Sequence, residues 1–170
     1  MRAVANAAAL FLNNKKSINM ACVAIPTIVQ NCNNIVAGVK DVYVRAFDAA
    51  SQVTFEDEAG LLALGFVKVV TIKGRASATQ TPAESAKAFT QTVNFSIVDS
   101  SDRSEFVNAL ISNSLVQAVT RDYYGNFDIF GESRGLKYTG GDITTGVAMG
   151  DAKAINVVLT GVEPAMAKRV

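Results

Sequence analysis

The chain has 170 residues, enough for one domain with a single buried core. Hydrophobic residues make up 49% of it, charged residues only 18%, and the formal net charge is +1. Scattered basic residues in a near-neutral chain exclude a protein that holds nucleic acid along a basic groove, because such binding needs clustered Lys and Arg. A net charge this small is less than a dispersed monomer usually carries, so it favours self-association.

The residue types needed for several common chemistries are missing. The sequence contains no histidine, which excludes the Ser-His-Asp and Cys-His arrangements of hydrolases. Cys22 and Cys32 form no CxxC motif, and both a pair of free thiols and a disulfide remain open for them. We therefore expect no catalytic residues, no cofactor and no bound metal, and a protein that is not an enzyme.

Residues 1–33 are predicted to be an N-terminal arm or leader, and residues 34–170 a single β-rich domain. The apolar run at residues 3–12 resembles a signal peptide, with Cys22 as a lipidation site. Polar residues 13–16 and Asn19 argue against that interpretation, so a short helix or a flexible arm is favoured, with Met20 as an alternative start. The most apolar stretches, residues 3–12 and 61–72, are too short or carry Lys68, which predicts no membrane span.

The first half of the domain reads as short strands separated by turns. Residues 39–47 alternate as a strand covered on both faces, and residues 48–51 form a turn. Residues 52–56 predict a second strand that residues 57–60 end in a charged turn, as in a hairpin. Residues 66–73 predict another strand. Residues 74–88, rich in Ala, Ser and Thr, predict a long mobile loop.

One strand and one helix follow. In residues 89–98, the apolar residues and the polar residues alternate, so one face is predicted to be buried and one polar: Phe89, Val93, Phe95 and Ile97 against Thr90, Thr92, Asn94 and Ser96. Residues 100–113 predict a helix capped by Ser100 or Ser101. Its apolar stripe consists of Phe106, Val107, Leu110 and Ile111.

The last third is again β-like, with strands at residues 115–122, 127–130, 136–139 and 152–161 and a turn at residues 124–126. Strands, one helix and more strands indicate a mainly β protein. The expected fold is an antiparallel β-sandwich or barrel with one packed α-helix.

Four groups of residues could carry chemistry, and each has a structural explanation that we favour. The carboxylates at residues 56–58 (Glu56, Asp57 and Glu58) suit a solvated turn better than a glycosidase pair. The glycine-rich residues 139–146 lack the Gly-Lys-Ser/Thr ending of a phosphate loop. Asp142 and Asp151 are spaced too widely for a calcium loop. Tyr123, Tyr124 and Phe127 would form a platform for carbohydrate, but aromatic residues beside a turn more often pack a hairpin.

The chain resembles the major tail tube proteins of tailed bacteriophages, including relatives in phages of gut bacteria. Three stretches carry the resemblance, namely residues 32–44, 106–125 and 131–164, and together they span nearly the whole domain. The third is the most specific, because it contains three short motifs in order: Gly131-Glu132-x-x-Gly135-Leu136, Thr145-Gly146-x-Ala148-x-Gly150-Asp151 and Leu159-Thr160-Gly161-x-Glu163. Residues 1–19 and 74–88 depart from the family pattern.

The resemblance implies a structural protein of the virion tail, made in the cytoplasm of the host bacterium. Copies would form a homo-oligomeric, hexameric ring by joining sheet edges, and rings would stack into a tube that DNA passes without specific binding. Other tail or head–tail proteins are the implied partners. A β-rich subunit with free edges and little net charge is compatible with this, and residues 74–88 are the predicted stacking loop.

Other functions remain open at this point. A tail terminator, a connector ring or a capsid decoration protein would share β-rich assembly, and the inner tube of a bacterial contractile injection system is closely related to a tail tube. A carbohydrate- or surface-binding β-sandwich is the alternative of a different class.

Overall fold

The computed structural model describes residues 38–50, 53–83, 87–98, 103–144 and 153–170. They all belong to one compact unit, Cys32–Val170. The predictions for the N-terminal arm, Met20, Cys22 and Cys32 lie outside these residues. The strands are β1 (Val39–Ala46), β2 (Val67–Val69), β3 (Thr71–Pro82), β4 (Phe89–Val98), β5 (Val116–Asp122), β6 (Phe127–Phe130), β7 (Lys137–Gly140), β8 (Ile143–Thr144), β9 (Ala154–Glu163) and β10 (Lys168–Arg169), and the helices are α1 (Glu58–Ala63) and α2 (Arg103–Ser112).

The strands form two antiparallel sheets, which confirms the mainly β, antiparallel prediction. Sheet A has the strand order β10-β6-β5-β1-β2. Sheet B has the order β3-β4-β9-β7, and β8 also pairs with β9. Within the described part of the chain both sheets are open, so the architecture there is a sandwich rather than a closed barrel.

The main core lies between the two sheets. Alternation in β4 turns Val93, Phe95 and Ile97 to this core, as predicted, and they meet inward side chains of sheet A such as Val42 and Val44. Strand β4 is central because it pairs along its length with β9 and over most of its length with β3. The strongest apolar alternation in the sequence therefore marks the middle of the fold.

Strand β1 is covered on both faces, as its sequence predicts. Val42 and Val44 belong to the main core, whereas Tyr43 points to the opposite face and joins a second cluster with Val119 and Phe127. That cluster is completed by the segment before β2, through Val53, Phe55, Leu61 and Phe66. Sheet A is thus packed between sheet B and this segment.

The predicted strand at residues 52–56 and the hairpin after it are wrong. Residues 53–57 form no strand, Gln52 lies outside the described residues, and the expected turn at 57–60 is the start of helix α1. Asp57 is the N-cap, because its Oδ1 accepts a hydrogen bond of 2.8 Å from the Gly60 amide. The helix places Leu61 against sheet A, in the cluster that contains Tyr43 and Val119. This contact joins segments distant in sequence, so local sequence does not predict it.

Residues 66–73 were predicted as one strand, but the chain leaves sheet A after β2 and enters sheet B at β3, with Val70 at the crossing. The predicted loop at residues 74–88 is also wrong, since β3 continues to Pro82 and pairs with β4. Its inward residues, Ala76 and Ala78, are too small to give a clear apolar pattern, and pairing with β4 satisfies the backbone instead. Residues 84–86 of the predicted loop are outside the described part of the chain.

Helix α2 confirms the helix prediction, and Phe106, Val107 and Leu110 pack against the main core. Ile111 does not join this stripe, because its side chain is exposed. The proposed caps, Ser100 and Ser101, are not among the described residues. In the last third, β5, β6, β7 and β9 lie close to their predicted places, and the short strand β10 was not predicted.

Candidate functional site

The two sheets end on the same side in strands that are consecutive in the chain. Strand β2 pairs with β1 and is the edge of sheet A, and β3 pairs with β4 and is the edge of sheet B. Within the described residues, neither has a second neighbouring strand. An edge strand presents unpaired N–H and C=O groups to any strand that can approach it. The β2–β3 ribbon is therefore a candidate interaction surface.

Exposed valines surround the point where the chain crosses between the sheets. The exposed fractions are 62% for Val67, 80% for Val70 and 51% for Val98. Thr71 is opposite Ile97 in the register of β3 and β4, so Val70 and Val98 lie directly beyond that pair. Apolar side chains of this size are usually covered, and their grouping beside two free edges favours a protein contact there.

The outer face of sheet B is polar and almost uncharged. The even-numbered residues of β4 confirm the predicted polar face, and opposed positions of neighbouring strands continue it: Thr79, Thr92, Thr160 and Lys137 form one row across the sheet. Ser96 donates a hydrogen bond of 2.5 Å to Asn156 on this face. Among the described residues, the strand register places Lys137 and Asp142 on this face, because Lys137 is opposite Thr160 and the Asp142 carbonyl oxygen accepts a bond of 2.9 Å from the Asn156 amide. The face offers hydroxyl and amide groups without a cluster of charge.

The loop between β6 and β7 is organised by a buried carboxylate. Glu163, at the end of β9, is only 3% exposed. Its Oε1 accepts hydrogen bonds from the amides of Arg134 (2.7 Å) and Gly135 (3.1 Å), and its Oε2 accepts one from Ser133 (3.1 Å). Three charge-assisted bonds of this kind compensate for removing the carboxylate from water. Glu163 therefore holds the loop at residues 131–135 against sheet B.

Gly161 explains why the loop can approach so closely. A Cβ atom at this position would lie 2.5 Å from the Gly135 carbonyl oxygen, which no side chain can occupy. Two of the three motifs quoted above, Gly131-Glu132-x-x-Gly135-Leu136 and Leu159-Thr160-Gly161-x-Glu163, are thus in direct contact. Sequence alone gave no reason for their joint occurrence. The contact assigns them a structural role.

The acidic residues 57 and 58 are used in the structure to attach helix α1 to sheet A. Asp57 caps the helix, and Glu58 Oε1 accepts bonds from the Tyr43 hydroxyl (2.7 Å) and Lys68 Nζ (2.9 Å). Its Oε2 accepts a bond of 2.9 Å from Arg121 Nη1. The bond from Lys68, with a second from Tyr43, holds the pKa of Glu58 below its ordinary value. Burial, followed by the bond to Glu58, raises the pKa of Tyr43.

Acid is expected to weaken this attachment. Because the folded pKa of Glu58 is lower than the free value of 4.5, its contribution to stability is present above that pH and is lost as the pH falls through the folded pKa. We expect Glu58→Gln to be less stable than the parent at pH 7 and the difference to shrink below pH 4.5. Urea unfolding of both proteins at pH 7 and at several pH values below 4.5 measures this difference in the free energy of unfolding. A pH-independent difference would contradict the assignment, and Glu56→Gln, on an exposed residue of the same segment, is the control.

The glycine-rich residues 139–146 contain parts of two strands rather than a phosphate-binding loop in front of a helix. Strand β7 ends at Gly140 and β8 pairs with β9. A Cβ at Gly141 would lie within bonding distance of the Asn156 carbonyl oxygen, so glycine is needed here for close packing of backbones. Residues 145–150 and Asp151 lie outside the described residues, and the predicted pair of Asp142 with Asp151 stays untested.

The aromatic platform is wrong for one of its three members. Tyr123 and Tyr124 are exposed beside the β5–β6 turn, but Phe127 is 5% exposed. Its ring packs edge-on against Phe55 at 5.2 Å and lies 6.3 Å from the ring of Tyr43. Phe127 is therefore a core residue.

No helix in the described residues is long and apolar enough to cross a membrane. The same residues contain no group of three or more His, Cys, Asp or Glu side chains close enough to hold a metal ion. Comparisons with models of protein families, with curated proteins and with solved structures found no match.

Proposed function

We propose that this protein is a structural component of a phage virion, a tail tube subunit that forms rings stacking into a DNA-conducting tube. The observation that carries the proposal is the β2–β3 ribbon, where the free edges of both sheets and the exposed valines at positions 67, 70 and 98 lie together. A neighbouring copy can pair with these edges, and a closed ring leaves none of them free. The resemblance described above points to the same role.

The chemistry of the sheet B face supports a place for it in the lumen. Sliding DNA requires a hydrated surface that does not grip phosphates, and strong phosphate binding comes from clustered Lys and Arg. Threonine, serine and asparagine dominate this face, and its basic residue Lys137 has no basic neighbour in the register, while Asp142 lies on the same face. Such a surface suits passage of DNA without specific binding.

The proposed role is structural rather than catalytic. Glu58 and Asp57, the most concentrated acidic residues considered as catalysts, form the bonds that attach helix α1, and Glu163 holds a loop. Each carboxylate thus has a structural function. The proposed partners are further copies of the chain and other tail or head–tail proteins, and the proposed location is the tail of the virion.

Electron microscopy of the purified protein tests the proposal, with rings or tubes as the expected result. Val70→Lys should prevent assembly, because the valine is at the centre of the exposed ribbon and a buried, unpaired ammonium opposes the contact. At a site 80% exposed in the single subunit, the same change should alter the free energy of unfolding by less than about 0.5 kcal/mol. Leu62→Lys, on an exposed apolar residue of α1, is the matched control and should still assemble.

Persistent monomers at high concentration, with neither rings nor tubes, would count against the proposal. Assembly that stops at single rings favours a tail terminator or a connector, and binding to capsids favours a decoration protein. Genome neighbours separate a phage tail tube from the inner tube of a contractile injection system.

A further inference from the structure

The edge of sheet A opposite β2 is closed by residues 164–170, which we call the strap. The strap leaves sheet B after Glu163, crosses to sheet A and pairs as β10 with β6. Phe127 and Val170 exchange two backbone hydrogen bonds of 2.9 and 3.0 Å. Arg169 forms two bonds of 2.9 Å with the carboxylate of Asp128. Without the strap, β6 would present a free edge.

The crossing is held by polar contacts at both sheets. Gln80 of β3 accepts a bond of 2.8 Å from the Ala167 amide, and Gln91 of β4 donates one of 3.2 Å to the Ala165 carbonyl oxygen. Every strap residue except Ala167 is exposed, including Met166 and Val170. The strap therefore buries little apolar surface, and water can replace most of its bonds when it leaves.

The inner side of the strap has few apolar contacts: Ala167 packs against the main core, and Arg169 borders an open pocket. The pocket has a volume of about 500 Å³, and apart from Arg169 its lining comes from the rest of the domain, including Asp128, Gln80 and Phe130. A segment whose side chains are mostly exposed makes fewer dispersion contacts than a close-packed segment. Opening the strap therefore requires much less free energy than unfolding the sandwich.

The connection provides a defined pivot. Glu163 is fixed by three bonds to the 131–135 loop, and Pro164 follows it at once with a restricted φ angle. The chain is therefore held in place at Glu163, and the strap begins directly after it with the exposed residue Pro164. A strap that detaches keeps its own end of sheet B intact and leaves the β6 edge, Gln80 and Gln91 ready to bind the same sequence again.

We propose that the strap is exchanged between copies, so that residues 164–170 of one subunit close sheet A of its neighbour. The occupant is specified by the structure, because the strap of a second copy carries the same bonding groups as the strap that it replaces. In dilute monomers the tethered strap has the higher effective concentration, whereas in a packed assembly the neighbour's strap competes. The inference rests on the proposed assembly and adds a second contact between its subunits, besides the one at the β2–β3 ribbon.

Disulfide trapping tests the exchange. Residues 128 and 169 are opposed, and they flank the hydrogen-bonded pair 127–170, so they form the closer, non-hydrogen-bonded type of pair that suits a disulfide. In a Cys22→Ser, Cys32→Ser background, Asp128→Cys is assembled together with a separate Arg169→Cys protein and oxidised. A disulfide between these two variants must join two copies, and we expect covalent dimers on a non-reducing gel.

The double variant, Asp128→Cys with Arg169→Cys in one chain, should give a ladder of covalent multimers after assembly. Each single variant alone reports the background of other disulfides. Thr92→Cys with Thr160→Cys, an opposed pair in the interior of sheet B, should give only monomers. If rings or tubes are seen but the 128–169 disulfide stays within single chains, the exchange is overturned and the proposed function stands. If no assemblies are seen, the proposed function fails, and the exchange fails with it.

Discussion

Replacing Glu163 with alanine is expected to lower the free energy of unfolding by about 3 kcal/mol, a large part of the stability of a single domain. The change removes one buried acceptor group and leaves three amide donors, at residues 133, 134 and 135, without partners. The bond to the Gly135 amide is buried and the other two are partly buried, and a donor that is kept from water without a partner is destabilising because water satisfies it in the unfolded chain. Urea unfolding followed by circular dichroism measures the change in free energy.

Two variants separate the effect of these bonds from a general effect of charge. Glu163→Gln keeps one carbonyl oxygen but turns an NH₂ group toward the amides, so its loss should be smaller than that of alanine but clear. Glu132→Ala removes a carboxylate in the same loop that forms no side-chain bond among the described residues, and it should change the free energy by less than about 0.5 kcal/mol. Equal effects of Glu163→Ala and Glu132→Ala would refute the role of Glu163.

Phe95→Ala is expected to reduce the free energy of unfolding by about 3–5 kcal/mol. The ring is buried in the centre of β4, between Ala76 of β3 and Val157 of β9, and its removal leaves a cavity between the two sheets. Neither sheet can close over that cavity, because each is held in register by its own strand pairs. Thermal unfolding should show a much lower Tm, and loss of folded protein at 37 °C would be the extreme form of the same result.

Two further variants calibrate the loss at Phe95. Phe106→Ala in helix α2 should have a smaller effect, about 1–2 kcal/mol, because that side chain is only partly buried against the same core. Thr92→Ala, on the outer face of the same strand, should be nearly neutral. A loss at Thr92 as large as that at Phe95 would mean that the two faces of β4 are assigned the wrong way round.

The contact between the glycine-containing motifs bears on the meaning of the family resemblance. Glu163 needs the amides of the 131–135 loop, and the loop needs Gly161 for its close approach. Residues that depend on each other in this way are expected to occur together in any chain with the same loop. The motifs therefore concern the construction of the fold, and the proposed assembly depends on the edges and the strap.

The sequence predicted those elements in which local pattern and tertiary environment agree. The alternation in β4 and the apolar run in β1 specified strands, one with a single buried face and one buried on both, because the period of a strand is visible in its side chains. Helix α2 was predicted from its stripe, apart from Ile111. The turn at residues 124–126 and strands β5 and β6 followed from the same rules.

Other elements could not be predicted because they are stabilised by contacts with residues that are distant in sequence. Strand β3 has alanines where it meets the core, so it lacks an apolar pattern, and it is a strand because β4 pairs with it. Helix α1 has six residues, too few for a periodic signal. It is stabilised by packing of Leu61 in the cluster that buries Tyr43 of sheet A. The bonds of Glu163 and the strap join residues about thirty to ninety positions apart.

By itself, the sequence determined that this is a mainly β, antiparallel, near-neutral chain without histidine, because composition and the alternation of side chains are local properties. Only the tertiary structure decided which strands form the edges, where the chain crosses from one sheet to the other, and which polar residues hold loops rather than face solvent. These depend on contacts between distant segments, and such contacts leave no periodic trace in the order of the residues.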